Sequence, residues 1–305
     1  MLRADRPASR RGGIVSVLVA YRRSSPAGRD ALQLGARIAN HIGTGLDIVS
    51  VSRFESAAAV ALRGPEQGDE ADPRTALHLA AELVKVDVPV HTHAVVDDST
   101  ASAILRTAHE VGASIIVLGT TSNGLFGRFS LGSVSNILLH SSDIPVALAP
   151  DTARDTPQDA PFGRVSVAIG DIGGNRTMFD TANLLAGADV PVRLLTLAAV
   201  SSGTDAERRT RTEAIARLDH LADLYRPERA STTTAQVEVA GRITKAIDQV
   251  FWEPDEIVLI GSARIAREHT TFIGSTATKL LRALTVPMIV VPRDDQVPET
   301  KAAKA

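Results

Sequence analysis

The 305-residue sequence contains no cysteine. This absence excludes disulfides, thiolate metal sites, iron–sulfur clusters and a cysteine nucleophile. Neither sign of charge is in large excess, because the chain has 33 Lys and Arg residues and 35 Asp and Glu residues. Such a balance provides no general field to attract nucleic acid or an anionic membrane. We therefore expect no nucleic-acid partner, and a phosphate ligand would need a local site.

Long hydrophobic runs are also missing. The apolar run at residues 14–20 is interrupted by Ser16 and is followed at once by Arg22 and Arg23. A secretion signal needs a longer apolar region and a small-residue cleavage site, and a membrane span needs about 20 apolar residues. We therefore expect a cytoplasmic protein without a membrane partner, which starts with a disordered basic arm at residues 1–13.

An internal repeat divides the chain into two copies. Three segments of the first copy recur at a constant offset in the second: 113–119 as 255–261, Gly132-Ser133 as Gly274-Ser275, and 144–150 as 286–292. A repeat of this length predicts two domains, at residues 14–150 and 163–293. The polar segment 151–162 is interpreted as a linker, and residues 294–305 as a disordered tail.

Each copy alternates β-rich runs with helical patterns, which is typical of βαβ units. In the first copy, strands are predicted at 14–20, 46–51, 88–95, 114–118 and 146–149, and helices at 28–42, 73–86, 100–111 and 133–141. In the second copy, strands are predicted at 165–169, 191–198, 233–240, 256–260 and 288–291. The apolar strand at 115–118 fits a sheet that is buried on both faces. The prediction is an α/β fold of two tandem domains, each a five-stranded parallel sheet with helices on both faces.

The second copy also has a long helical pattern at residues 206–225. Its apolar residues fall on one stripe of the helix, which we expect to face the core. The stripe consists of Ile215, Leu218, Ala222 and Tyr225.

The loop after the fourth strand is the candidate ligand site of the first copy, because open parallel sheets bind ligands at the carboxyl ends of strands. Gly119 ends the strand, further glycines follow, and Gly132-Ser133 opens a helix. Glycines let backbone N–H groups approach phosphate oxygens, and a helix N-terminus adds partial positive charge. The alternative interpretation is a flexible loop in which Ser133 caps the helix.

The layout resembles that of tandem universal stress proteins, in which each domain carries the nucleotide loop G-x2-G-x9-G-[S/T] after its fourth strand. The first copy has Gly119-x2-Ser122-x9-Gly132-Ser133, and the second has Gly261-x2-Arg264-x9-Gly274-Ser275. The spacing is kept in both copies, whereas the second glycine is replaced in both. The resemblance implies Rossmann-like domains of the adenine nucleotide alpha hydrolase-like type, with an adenine nucleotide as partner and ATP, with or without Mg2+, as the ligand.

The resemblance also assigns the site residues. In the first copy they are Gly119, Ser122, Gly124, Gly127, Gly132, Ser133, Val134 and Ser135. The second copy is expected to hold a degenerate site at Gly261, Arg264, Gly274 and Ser275, because Arg264 stands where backbone should approach a phosphate. The family tends to have an aspartate at the end of the first strand, and here Arg22 and Gly170 take that place.

Two functions remain open. The chain is either a stress-response protein that binds ATP in its first copy as a regulatory ligand, or an interaction scaffold of the same fold that binds no nucleotide. Enzyme activity would be at most weak ATP hydrolysis, because no convincing base is present. The apolar last strands, 146–149 and 288–291, are expected to pair antiparallel within the chain as a pseudo-dimer, and they could also form a homodimer.

Two polar pairs suggest other chemistry. His91 and His93 lie two apart on a strand and could start a metal site, but no third ligand is evident, so a solvent-facing pair is favoured. Asp97 and Asp98 directly precede a helix, where N-capping is a better explanation than a general base.

Overall fold

The computed structural model describes residues 16–22, 25–52, 73–120, 132–170, 176–200, 204–224, 233–262 and 275–292. The strands in these ranges are β1 (Ser16–Ala20), β2 (Gly45–Ser52), β3 (Val90–Val96), β4 (Ala113–Gly119), β5 (Val146–Ala149), β6 (Arg164–Ala168), β7 (Val192–Ala199), β8 (Thr233–Ala240), β9 (Glu256–Gly261) and β10 (Met288–Val291). The helices are α1 (Pro26–Ile42), α2 (Pro73–Glu82), α3 (Thr100–Val111), α4 (Ser133–Ser141), α5 (Arg176–Ala186), α6 (Thr204–Leu224), α7 (Ile243–Asp248) and α8 (Ser275–Ala283).

The described strands form one sheet in the order β3-β2-β1-β4-β5-β10-β9-β6-β7-β8. All pairs within β1–β5 and within β6–β10 are parallel. The two halves meet where β10 pairs antiparallel with β5, with Ile289 opposite Ala147. This is the pairing within the chain that the apolar last strands predict. The predicted α/β fold of two parallel five-stranded halves is confirmed, whereas the domain boundaries at 14–150 and 163–293 stay predictions.

Helices cover both faces of the sheet, and each face has its own apolar core. The first core takes in α1, α2, α5 and α6, through residues such as Leu34, Leu77, Phe179 and Leu218. The second takes in α3, α4, α7 and α8, through residues such as Ile104, Leu138, Ile247 and Leu280. Strands buried on both sides explain the near-continuous apolar run in β4.

Local sequence sets the boundaries of α1 and α3. Pro26 stands at the first position of α1, where its missing N–H costs no hydrogen bond. Ser99 caps α3 by accepting a hydrogen bond from the N–H of Ser102. Both helices end at a glycine in the left-handed conformation, Gly43 with φ 68° and Gly112 with φ 67°, which only glycine adopts without strain.

The buried stripe of α6 differs from the predicted one. Ala214, Leu218 and Leu221 are buried, whereas Ile215 is 41% exposed. Spacings of four and then three residues place these buried side chains on one face, and Ile215 lies one position away towards solvent. The prediction that Ile215 faces the core was therefore wrong, and Tyr225 lies outside the described residues.

Residues 151–162, interpreted from sequence as a linker, lie against the first half as an ordered segment. We call this segment the strap. It begins with a short 3-10 turn at Ala153–Asp155 and ends at Phe162, which is 2% exposed within the first core. It contacts α1 and also the segment after α2, where Gln158 accepts a hydrogen bond from the N–H of Lys85 at 2.7 Å and donates to the carbonyl of Leu83 at 3.0 Å. None of the helices in the described ranges combines the length and apolar character required to cross a bilayer.

Candidate functional site

The carboxyl ends of β1 and β4 form a crevice in the first half. The two strands are neighbours, with Val19 opposite Val117. From β1 the chain enters α1 on one face of the sheet, and from β4 it leads towards α4 on the other face. Two connections that leave adjacent strands towards opposite faces define a topological switch point, which is where doubly wound sheets bind their ligands.

The first turn of α1 lies directly against this crevice. A Cβ atom placed on Gly119 would be 1.7 Å from the carbonyl oxygen of Ala27, and one on Gly28 would be 2.3 Å from that of Arg22. Both glycines therefore allow two stretches of backbone to approach closely. The sequence pattern assigned Gly119 to the ligand site. It did not reveal that the backbone of α1 occupies the place where a side chain at this position would lie.

The start of α4 follows the connection from β4, and the helix packs in the second core, on the other face of the sheet from α1. Gly132 is the N-cap residue with φ −66° and ψ 167°, and a Cβ on it would meet no atom of the described residues within 4 Å. Ser133 is exposed and is the first helical residue, so it is not the cap that the alternative interpretation required. Val134 is half-buried and Ser135 is buried. The first turn of α4, which is described in full, contains no acidic residue, so its backbone N–H groups remain suited to an anion.

Several assigned residues cannot be placed. Ser122, Gly124 and Gly127 of the first copy, and Arg264 and Gly274 of the second, lie outside the described residues. Ser275 begins α8. In the second half, Gly261 ends β9, and a Cβ on it would be 2.7 Å from the terminal methyl of Met178 on α5. A flexible side chain, rather than helix backbone, thus covers the glycine of the second half.

A polar cluster lies on β2 and β3, at a distance from the crevice along the strands. Asp47 is 4% exposed, and its Oδ1 is 2.6 Å from Nε2 of His93 and 3.8 Å from Nδ1 of His91. The pairing of β2 with β3 places Asp47 opposite His91 and so brings the carboxylate close to both histidines. The sequence alone did not reveal this contact. Across the described ranges, no group of three or more His, Asp or Glu side chains is arranged to hold a metal ion.

Asp97 has a structural role at the start of α3. Its carboxylate accepts the N–H of Ser99 at 2.8 Å and a hydrogen bond from Arg106 at 2.9 Å. These two bonds, the backbone one first, hold the pKa of Asp97 below its ordinary value. A carboxylate so stabilised is a poor general base, which agrees with the interpretation of this segment as a helix start.

Strand order and helix placement together define a doubly wound α/β protein. Residues 15–150 match the model of the universal stress protein family. A universal stress protein of Mycobacterium tuberculosis is 26% identical over 296 residues, which cover 91% of this chain and all of the relative. Residues 15–150 are therefore a domain of the universal stress protein family, and the chain as a whole is similar to that mycobacterial protein.

Solved structures agree with this assignment. The crystal structure of a universal stress protein from Archaeoglobus fulgidus aligns with a TM-score of 0.58 at 16% identity, over 91% of this chain and 98% of that one. This likeness shows the fold. A universal stress protein from the same organism, solved in complex with dAMP, aligns with a TM-score of 0.27 at 21% identity. The alignment covers 33% of this chain and 78% of that chain, and dAMP is the ligand of that protein.

Proposed function

We propose that this protein binds an adenine nucleotide, in the form of ATP, in the first-half crevice as a regulatory ligand of a stress-response protein. The observation that carries the proposal is the exposed N-terminus of α4. It opens at Gly132 with free space around the Cα atom and with no acidic residue in its first turn. Backbone N–H groups at a helix N-terminus bind phosphate through hydrogen bonds and the helix dipole.

Mg2+ would enter together with the nucleotide. Because the fully described first turn of α4 carries no carboxylate, the phosphate oxygens of ATP would supply the ligands of the ion at this end of the crevice. The protein's part is to hold the phosphates through backbone N–H groups and the Ser133 hydroxyl.

Gly132→Val and Ser133→Ala test the proposal by calorimetric titration of ATP. The Cβ of the valine meets no described atom within 4 Å, so the side chain should block a phosphate at a cost in stability limited to N-capping. Loss of the Ser133 hydroxyl should weaken binding by about 1 kcal/mol. Gly241→Val, where a Cβ also meets nothing within 4 Å, and Ser141→Ala, at the other end of α4, are matched controls that should bind ATP like the wild type.

Equal affinity in all five proteins would show that the start of α4 is not the phosphate site. A second measurement uses freshly purified wild type, which is heated to release bound nucleotide for identification by ion-exchange chromatography. Absence of released nucleotide, together with absence of ATP binding in the titration, would favour the alternative function.

That alternative is a scaffold of the same fold that binds no nucleotide. The observation in its favour is that Ala27 already fills the open side of Gly119. We further propose that the second half is a degenerate site, because Arg264 replaces the family glycine.

A further inference from the structure

Helix α1 carries a polar stripe along an otherwise apolar buried surface. Asp30, Gln33, Arg37 and His41 are spaced three, four and four residues apart, which places them on one face of the helix. Asp30 is fully buried and Arg37 is only 3% exposed. Buried polar side chains must find partners, and here the strap and the second half supply them.

The first contact is an ion pair between α1 and the strap. Arg154 donates from Nε and Nη2 to the two carboxylate oxygens of Asp30, at 2.8 and 2.6 Å, and its backbone N–H donates to the same carboxylate at 3.1 Å. Two parallel N–H donors on one carboxylate form the strongest type of side-chain ion pair. Arg154 remains 36% exposed, so its charge can return to water when the strap leaves.

The next turns of α1 hold the rest of the strap. Gln33 donates to the carbonyl of Thr156 at 2.5 Å and accepts from Gln158 at 3.0 Å. Arg37 donates to the carbonyl of Ala160 at 2.8 Å, and its guanidinium carbon lies 4.0 Å from the ring centre of Phe162. Water can replace the polar partners when the strap loosens. Phe162, which is buried in the first core, anchors the far end of the strap.

The last turn ties α1 to the second half, since Nε2 of His41 lies 2.7 Å from the carbonyl oxygen of Leu185 in α5. The same helix contacts the end of β4 with its first turn, where the backbone of Ala27 lies against Gly119. A helix of 17 residues is a rigid rod about 25 Å long. Its first turn therefore cannot withdraw from Gly119 without disturbing the contacts along the stripe.

We propose that the strap is an autoinhibitory contact of the nucleotide site. Docked on the stripe, it holds the first turn of α1 against Gly119 and lowers the affinity for nucleotide. In the second state, nucleotide occupies the crevice, the first turn is displaced and the strap is loosened. The inference rests on the proposed function. By linkage, nucleotide weakens strap docking by the same factor by which docking weakens nucleotide binding. A change that weakens docking should therefore strengthen nucleotide binding.

Asp30→Asn loosens the strap in the full-length protein. Asparagine has nearly the same shape and leaves no buried charge, and Arg154 can turn to solvent. We expect the variant to bind a fluorescent ATP analogue at least about fivefold more tightly than the wild type. Asp205→Asn, which removes an exposed pair with Arg208, is the matched control and should leave the affinity unchanged. Damage to the fold alone would weaken binding and so cannot imitate the expected gain.

A cross-link tests the opposite direction. Because the chain has no cysteine, Gln33→Cys combined with Thr156→Cys provides the sole thiols, which a short bismaleimide can join. Locking the strap should lower the affinity at least about fivefold relative to the same protein before cross-linking. Each single-cysteine variant, treated with the reagent, controls for the modification itself.

The outcomes separate the two proposals. Unchanged or weaker binding by Asp30→Asn, or unchanged binding after cross-linking, overturns the autoinhibitory role while ATP binding stands. If no form of the protein binds the analogue or ATP, the proposed function fails and the inference falls with it. Hydrogen exchange gives an independent check, since backbone amides of residues 151–162 should exchange faster when ATP is added.

Discussion

Replacing Gly119 by alanine tests how closely α1 approaches the end of β4. The added Cβ would lie 1.7 Å from the carbonyl oxygen, 2.3 Å from the carbonyl carbon and 2.8 Å from the Cα of Ala27. All three atoms are backbone, so no side-chain rotation relieves the overlap. Helix α1 would have to move by more than about 1 Å while its polar stripe remains bonded to the strap.

Overpacking of this kind costs about 1–3 kcal/mol. We expect Gly119→Ala to lie at the upper end, about 3 kcal/mol, because the obstacle is a helix backbone that is anchored along its length. Urea denaturation followed by circular dichroism measures this loss of stability. The midpoint urea concentration should fall, and the dependence of the unfolding free energy on urea concentration should stay the same.

Two other glycines provide a graded control. At Gly261 the nearest atom is the flexible methyl of Met178, at 2.7 Å, so alanine should cost less than about 1 kcal/mol. At Gly132 the neighbouring space is open, so alanine should cost only its poorer N-cap preference, about 1 kcal/mol. If Gly119→Ala were as stable as the wild type and yet lost ATP binding, the glycine would be retained for the ligand and the packing argument would be refuted.

Two further predictions concern buried charges. Burial raises the pKa of Asp30 above its ordinary value, more than the bonds from Arg154 lower it, so ionisation of Asp30 costs stability as the pH rises. The difference in Tm between Asp30→Asn and wild type should therefore shift in favour of the variant from about pH 4 to pH 7. A constant difference in Tm would contradict this. Glu256 is fully buried between Arg193 and Arg164, so Glu256→Gln should lower the free energy of unfolding by about 3–5 kcal/mol. Urea denaturation measures this through the fluorescence of Trp252, whose ring lies 5.1 Å from the Arg193 guanidinium. Glu253→Gln, which loses only a 3.7 Å pair with Arg164, is the control, and equal stability of the two variants would contradict the argument.

Sequence patterns predict the strands and most helices because short apolar runs and helical periodicity are local properties. They fail for α6, where a shift of one residue turns Ile215 to solvent. The strap was missed for a different reason. Its segment is polar and aperiodic, and its partners on α1 stand more than 120 residues earlier in the chain. The signal that could have indicated it is the polar spacing of Asp30, Gln33, Arg37 and His41 in an otherwise apolar helix.

The candidate site shows the same limit. Gly132 and Ser133 at the start of a helix and Gly119 at a strand end follow from the loop pattern. The approach of Ala27 to Gly119 depends on how α1 packs across the sheet, which no local pattern encodes. The expected cytoplasmic location, the homodimer and the disordered ends at residues 1–13 and 294–305 stay predictions, the last because they fall outside the described residues.

The antiparallel contact between β5 and β10 reverses the polarity of the sheet at its midpoint. The carboxyl ends of β1–β5 therefore point to one margin of the molecule and those of β6–β10 to the opposite margin. A five-residue strand spans roughly 16 Å, about twice the Debye length of about 8 Å at physiological salt. Exposed anions at the two margins would therefore interact only weakly, so coupling between the margins has to act through movement of the protein. A partner that binds one margin leaves the other exposed to solvent.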